Sequence, residues 1–508
     1  MNNNTDNNKR IAKNTIMLYF RMFLTLIVGL FTSRVILDAL GVEDYGIYNL
    51  VGGFVAMFNI LRSGLVSATQ RFITYDLGKG DIKELNETFS TCVIIYVIIS
   101  IIVIILAEAI GPWFIENKLV IPNDRMEASY WTFQLSLVMM VFSLISFPYN
   151  SLIISHEKMS TFAYISIYEV VAKLALTYVL YISPYDKLIV YSILMCIVQI
   201  TVPIMYMVYC RKNFEESKIC WSINWTKIKE IYSFTGWAML GGFASVGLTQ
   251  GLSVLLGMFF NPVVNAARGV AVQVQGIVNS FVSNFQMAVD PQIVKSYARD
   301  DCEYMQQLVF SSSKYSFYLL FIIALPLMYV AEQLLSLWLV EVPTDSALFL
   351  RLILITTMYD AISNPFAKAI QATGHIRNYQ IIFSCLLILI IPVSYIFLKF
   401  GAKAYIVFVV HIVLGFIAMW SRIILATRLT MIPLNRFFKE VALPICYVSI
   451  GSIIPSSICW YFIPRNIIYV FCIIVISIIV TGISIYFLGF NSSERSILRN
   501  KLKNIKKI

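Results

Sequence analysis

Four arginines, Arg21, Arg62, Arg34 and Arg268, lie inside long apolar runs of the chain. A central Arg or Asp costs roughly 2.5 to 3.5 kcal/mol on insertion scales, so each needs a reason to be there. Arg21 sits about ten residues into its run and Arg62 nine residues before the basic flank at Arg71. At 1.5 Å per residue both reach a depth of roughly 13 to 15 Å, near mid-membrane. Arg34 and Arg268 lie nearer the opposite face. Guanidinium stays charged when desolvated and grips two oxygens through a planar fork. Guanidiniums at successive depths therefore suit the passage of a diphosphate. For Arg34 a second reading is snorkelling to the interface, and Arg268, within two turns of Asn261-Pro262, stands between the two readings. Three acids, Asp360, Glu169 and Asp290, occupy similar settings. A desolvated carboxylate there can carry a proton or cation between two access states, which makes them candidates for coupling. Glu169 has Lys173 four residues on, which an ordinary i,i+4 pair explains. Asp360, a turn and a half before Asn364-Pro365, is the first choice.

The elements that must hold these residues follow from composition. Of 508 residues 59% are apolar and 13% charged, with mean hydropathy +0.77; soluble proteins average roughly 25% charged. Fourteen apolar runs fall near 12–36, 45–70, 88–110, 129–153, 160–182, 188–211, 231–260, 263–290, 308–331, 347–371, 379–398, 402–427, 438–461 and 466–489. Each is long enough to span about 30 Å of hydrocarbon. In lipid every backbone amide needs an internal partner, so an all-α polytopic membrane protein is expected. Lys and Arg gather at one set of span ends and in the tail from Arg495 to Lys507, while Asp38, Glu43, Asp44, Glu116, Asp124, Glu127, Asp186, Glu341 and Asp345 mark the other. The positive-inside rule then places both termini in the cytoplasm. The charge of +11 is thus accounted for by topology and by an anionic leaflet, not by nucleic acid. No short apolar leader precedes the first span, so no cleaved signal is expected.

The chain is also read twice. A shift of 220 residues pairs Ser33 with Ser253, Asn59 with Asn279, Ser63 with Ser283 and Ala68 with Ala288. A shift of 217 pairs Ser146 and Pro148 with Ser363 and Pro365, Tyr178 with Tyr395 and Arg211 with Arg428. This predicts a six-helix bundle over 1–211, a linker over 212–230, a second bundle over 231–428, two further helices over 437–489 and a basic tail over 490–508. Duplicated helix blocks are a common build of transporters, with the substrate path between the halves. Arg21 matches Gly241, Arg62 matches Val282 and Arg268 matches Tyr48. Scaffold residues recur in both halves whereas these bases do not, which argues for a ligand. Pro148 and Pro365 each remove a helical hydrogen bond at matched positions.

Enzymatic chemistry finds few residues to build on. His156, His375 and His411 are the only histidines, and no metal-binding, phosphate-cradling or nucleophile motif occurs. No cofactor or metal is expected. Cys92, Cys196, Cys385, Cys446, Cys459 and Cys472 fall inside spans and are expected to fill the core. Glu43-Asp44 is expected to be a solvated loop pair rather than a catalytic site.

The segment Leu40-Gly41-Val42-Glu43-Asp44-Tyr45-Gly46-Ile47-Tyr48 and the stretch Arg71-Phe72 through Leu77-Gly78-Lys79-Gly80-Asp81 resemble the polysaccharide-transport family of the multidrug/oligosaccharidyl-lipid/polysaccharide exporter superfamily. That resemblance implies two six-helix bundles alternately open to each side of a bacterial inner membrane. It implies a flippase carrying undecaprenyl-diphosphate-linked oligosaccharide repeat units, for O-antigen, capsule or exopolysaccharide, to the outer leaflet. The expected partners are that lipid-linked substrate, membrane lipid, a proton or sodium ion and polysaccharide-assembly proteins. A relative's cavity arginines lie on helices one, two and eight, where Arg21, Arg62 and Arg268 lie here, and the last two helices are expected to hold the lipid tail. Two alternatives stay open: a multidrug or metabolite cation antiporter of the same superfamily, and a membrane glycosyltransferase or polymerase.

Overall fold

The computed structural model describes residues 2–56, 59–118, 121–220, 225–260, 262–339, 342–462, 467–492, 494–496 and 499. Some side chains on the first two helices, including those of Arg34, Glu43 and Arg62, lie outside the described residues, as do Asn261, Glu341 and most of the basic tail. Among the described residues there is no strand. Twelve helices among them are long and apolar enough to cross a membrane. The expected spans at 45–70 and 263–290 are not among the twelve. They are the second span of each repeat, and both are rich in hydroxyls and amides, with Arg62 in the first and Arg268 and Asp290 in the second. Large apolar side chains such as Ile105 and Phe471 point outward and are more than 60% exposed, as a chain dissolved in hydrocarbon requires.

Packing divides the chain into two compact units, 1–242 with 294–300, and 243–293 with 301–508. The first holds α1 (Asn2–Ala56), α2 (Asn59–Lys79), α3 (Ile82–Lys118), α4 (Met126–Ser155), α5 (Met159–Thr177), α6 (Lys187–Asn213), the start of α7 (Trp225–Phe259) and the end of α8 (Pro262–Ala298). Within it α4 packs on α3 and α6, and α5 on α1. The break expected between the first two spans is a kink inside α1, at Gly41 with φ 80° and ψ 170°. Only glycine takes that conformation without steric cost. The kink seats Leu40, Tyr45 and Tyr48 against Leu180, Tyr191 and Met195, with the Tyr48 and Tyr191 rings edge-on at 4.8 Å.

One residue ties this corner together. Arg125 grips both oxygens of Asp44 through Nε and Nη2 and donates Nη1 to Asp186 at 2.5 Å. Asp186 in turn caps α6, accepting from the Leu188 and Ile189 amides. Asp44 is therefore held in an ion pair rather than solvated as expected; its side chain is only 13% exposed. At the other end of α4 the chain turns through Glu157, at φ 59°. The Glu157 carboxylate is completely buried and receives Arg10 and Lys295, each at 2.7 Å. Nearby, His156 bonds Glu216 at 2.5 Å and stacks on Phe214 at 4.1 Å. Burial pushes the Glu216 carboxyl up, but hydrogen bonds from His156 and from its own backbone more than offset this and hold it below the ordinary value.

The second unit holds the rest of α7 and α8 with α9 (Cys302–Tyr329), α10 (Ala331–Trp338), α11 (Ser346–Thr373), α12 (Arg377–Lys399), α13 (Ile406–Thr430), α14 (Leu434–Phe437), α15 (Leu443–Phe462) and α16 (Ile467–Ser484). The centre is α11, flanked by α9 and α13, with α12 on α13 and the α15–α16 pair on α9. Lys314 of α9, 4% exposed, meets the Glu494 carboxylate at 2.7 Å, and the Tyr315 hydroxyl donates to the same group. Cys92 and Cys196 are buried as expected, whereas Cys385, Cys446 and Cys472 are exposed. Those three do not fill the core, because an apolar thiol is equally at home against lipid.

Removing one partner of a buried ion pair costs about 3 to 5 kcal/mol. Arg125 is 21% exposed, so Arg125→Ala is expected to cost less, about 2 to 3 kcal/mol. Thermal unfolding of the detergent-solubilised protein should show this loss. Adding Asp44→Ala to Arg125→Ala should cost little more than Arg125→Ala alone.

Candidate functional site

The second unit holds a half-open cavity of about 240 Å³. Ser245 and Thr249 of α7, Gln275 and Asn279 of α8, and Thr357, Asp360 and Asn364 of α11 supply its polar wall. Leu248, Phe383 and Leu387 supply the apolar one, and Arg422 of α13 closes it. Arg422 is the pivot. Its Nη1 reaches Asp360 Oδ1 at 3.2 Å, Ser363 Oγ at 2.9 Å and Asn364 Oδ1 at 3.0 Å. Its guanidinium lies 3.9 Å over the Phe383 ring. The pair is lopsided: the Arg422 side chain is 8% exposed and that of Asp360 57%. The guanidinium is thus sunk in the wall while the carboxylate stands in the opening.

Pro365 explains how α11 can present these groups. A proline lacks the amide that would bond the carbonyl four residues earlier, which here is Ala361. Gln286 of α8 supplies the missing donor, with Nε2 3.3 Å from the Ala361 carbonyl and 3.1 Å from Ser316 Oγ. Three more polar ties join α8 to α11: Gln275 donates to Thr357 at 2.9 Å, Asn364 donates to Gln286 Oε1 at 3.5 Å, and Lys368 meets Asp290 at 3.4 Å. Gln275, Gln286 and Asp290 of α8 are thus spent on α11, while Asn265 and Arg268 bond α7.

The residues singled out in the sequence are distributed as follows. Arg268 is buried and bound to α7, through Nη1 to Ser253 Oγ at 2.5 Å and Nη2 to the Thr249 carbonyl at 2.7 Å. Arg21, in the first unit, lies over the Phe162 ring at 4.6 Å. Tyr206 is within electrostatic reach of Arg21 and Glu169, and bonds Ser166 and Asn150. The side chains of Arg34 and Arg62 lie outside the described residues. All three carboxylates have a basic neighbour: Glu169 has Lys173 at 2.6 Å, Asp290 has Lys368 and Asp360 has Arg422. Arg422 and Lys368 were missed in the sequence. Arg422 lies six residues from Arg428, about 9 Å along a helix, and so reads as part of a basic flank. The histidines do not gather: His375 is exposed, His156 pairs with Glu216, and His411 is near Asp360 and Arg268. Among the described residues no three His, Cys, Asp or Glu side chains form a group able to hold a metal ion.

Leaving a buried carbonyl unpaired costs about 1 to 3 kcal/mol. Gln286→Leu is therefore expected to destabilise the protein by about that amount. With Pro365→Ala, which restores an amide for Ala361, the Gln286→Leu penalty should shrink; an unchanged penalty in thermal melts would show that Gln286 has another role.

No curated protein sequence matches the chain. Solved structures do. An outward-facing multidrug resistance MATE family transporter of the MOP superfamily superposes with TM-score 0.72 at 13% identity, over 83% of this chain and 96% of that one. A MATE protein in the straight conformation gives 0.73 at 14% identity, over 84% and 97%. The MATE transporter ClbM, in complex with Rb+, gives 0.67 at 13%, over 85% and 97%. At such identities the likeness establishes the fold alone, that of a multi-pass membrane protein. The sequence profile of polysaccharide biosynthesis proteins matches residues 11–297, more than half of the 508, and the chain belongs to that family.

Proposed function

We propose that this protein is a flippase moving undecaprenyl-diphosphate-linked oligosaccharide repeat units from the cytoplasmic to the outer leaflet of a bacterial inner membrane, by alternating access and with both termini in the cytoplasm. The observation that carries the reading, within a polysaccharide biosynthesis family, is the charge balance of the cavity. Its one acid, Asp360, is matched by Arg422, and the rest of its polar wall is hydroxyl and amide. Such a wall suits a polyhydroxylated cargo. A cationic drug would call for unmatched acid, and Asp44, a candidate catalytic acid for a glycosyltransferase, is held by Arg125.

Arg21 and Arg62 remain the proposed diphosphate ligands, with Arg34 nearer the outer face. Arg268 is placed second to them, because α7 already accepts two of its donors. For coupling, Asp290 is now the better candidate. Glu169 and Lys173 share one helix, so neutralising Glu169 breaks no salt bridge between helices. Arg422 keeps Ser363 and Asn364 if Asp360 is neutralised. The Asp290–Lys368 pair, at 3.4 Å, is the one salt bridge between α8 and α11 among the described residues, so a proton or cation on Asp290 would remove the charge attraction between these helices while the Gln275 and Gln286 hydrogen bonds remain.

A charge-assisted hydrogen bond contributes about 1.5 to 3 kcal/mol, roughly tenfold to a hundredfold. Arg21→Ala with Arg62→Ala is expected to slow translocation of a labelled lipid-linked oligosaccharide in proteoliposomes by at least tenfold; normal rates in that variant would remove both arginines from the site. Asp290→Asn should abolish accumulation driven by an ion gradient while leaving downhill exchange intact. Loss of both, or of neither, would reject Asp290 as the coupling group.

A further inference from the structure

We infer that the cavity of the second unit is a subsite for one neutral sugar ring, with Asp360 as its principal hydrogen-bond acceptor rather than a site for a cation. The inference rests on the transport reading only for the origin of the sugar, since the cavity can be tested with free glycosides.

Size is the first argument. Drug-sized ligands occupy pockets of about 300 to 1,000 Å³; this half-open cavity, at about 240 Å³, has room for a single six-membered ring whose substituents extend through the opening. The donor and acceptor set is the second. Oδ1 of Asp360 is taken by Arg422, while Oδ2, the Gln275 carbonyl oxygen and the Asn279 amide have no protein partner among the described residues. A sugar hydroxyl both donates and accepts, and these groups offer both functions around one space. Leu248 and Leu387 supply apolar surface for the C–H face of the ring.

Charge is the third argument. A bare cation would have to compete at Asp360 with a guanidinium fixed in the wall, which Ser363, Asn364 and the Phe383 ring hold in place. Electrostatically, the position a metal ion would take is already filled. An acidic sugar would meet the Asp360 carboxylate, which stands in the opening, before it reached Arg422, which lies sunk behind it. The wall therefore favours neutral rings over both cationic and anionic ones.

Saturation-transfer NMR and calorimetric titration of the full chain, in a detergent without a sugar headgroup, test this directly. The probes are neutral methyl hexopyranosides, a methyl hexuronide, glucosamine, and sodium and rubidium chloride. The expected result is saturable binding of a neutral glycoside, weakened at least tenfold by Asp360→Asn and clearly weakened by Asn279→Ala, and unaffected by either salt. Asn279 is exposed and makes no contact the fold needs, so its variant keeps the test valid if Asp360→Asn fails to fold. No saturable binding, equal binding by wild type and Asn279→Ala, tighter binding of the hexuronide or glucosamine, or competition by sodium or rubidium would each overturn the subsite. Translocation of lipid-linked oligosaccharide without glycoside binding would overturn the subsite alone. Glycoside binding without translocation would overturn the transport reading and leave the subsite standing.

Discussion

A polar group inside an apolar bundle must find its partner on another helix, and the second unit is arranged around that demand. Arg422 cannot be solvated where it lies, so α11 must bring Asp360, Ser363 and Asn364 to it. These residues fall within little more than one turn, just before Pro365, where α11 forgoes its own bond to Ala361. Gln286 fills that gap from α8. One basic residue and one proline thus determine which faces of three helices meet. The cavity is the space left once those bonds are made.

The first unit obeys the same rule at its ends. Arg125 collects Asp44 and the cap of α6, and Glu157 collects Arg10 and Lys295. Both clusters are at least partly shielded from water, so each charge depends on its neighbours rather than on solvent. Between them the middle of the unit is left to apolar packing and to the few groups around Arg21 and Tyr206.

Much of this was legible in the sequence, and the reasons are physical. Lipid admits only helices, so apolar run length located nearly every element. The duplication marked Pro148 and Pro365 as equivalent. Two things were hidden. The kink at Gly41 looked like a loop, because a glycine beside acidic residues carries the same signal whether the chain leaves the helix or only bends. Arg422 and Lys368 looked like flank, because depth was judged along single spans while their partners come from other helices. The repeat itself held the clue: under the 217 shift Asp360 matches Ser143 and Arg422 matches Met205, so this pair breaks the symmetry together. Arg21, Arg62 and Arg268 break the symmetry in the same way, so the mismatch marks acids as well as bases.

Lys314 lies sealed within α9, and the carboxylate that balances it belongs to Glu494, 180 residues further along the chain. During synthesis α9 must enter the bilayer long before that acid exists. Until then the ammonium has to stay wet, neutral or misplaced, and α9 cannot settle against its neighbours. The second unit therefore cannot reach its final packing as its helices emerge one by one. The Lys314–Glu494 contact can close only once the chain beyond the last span has been made, so this part of the packing is completed last.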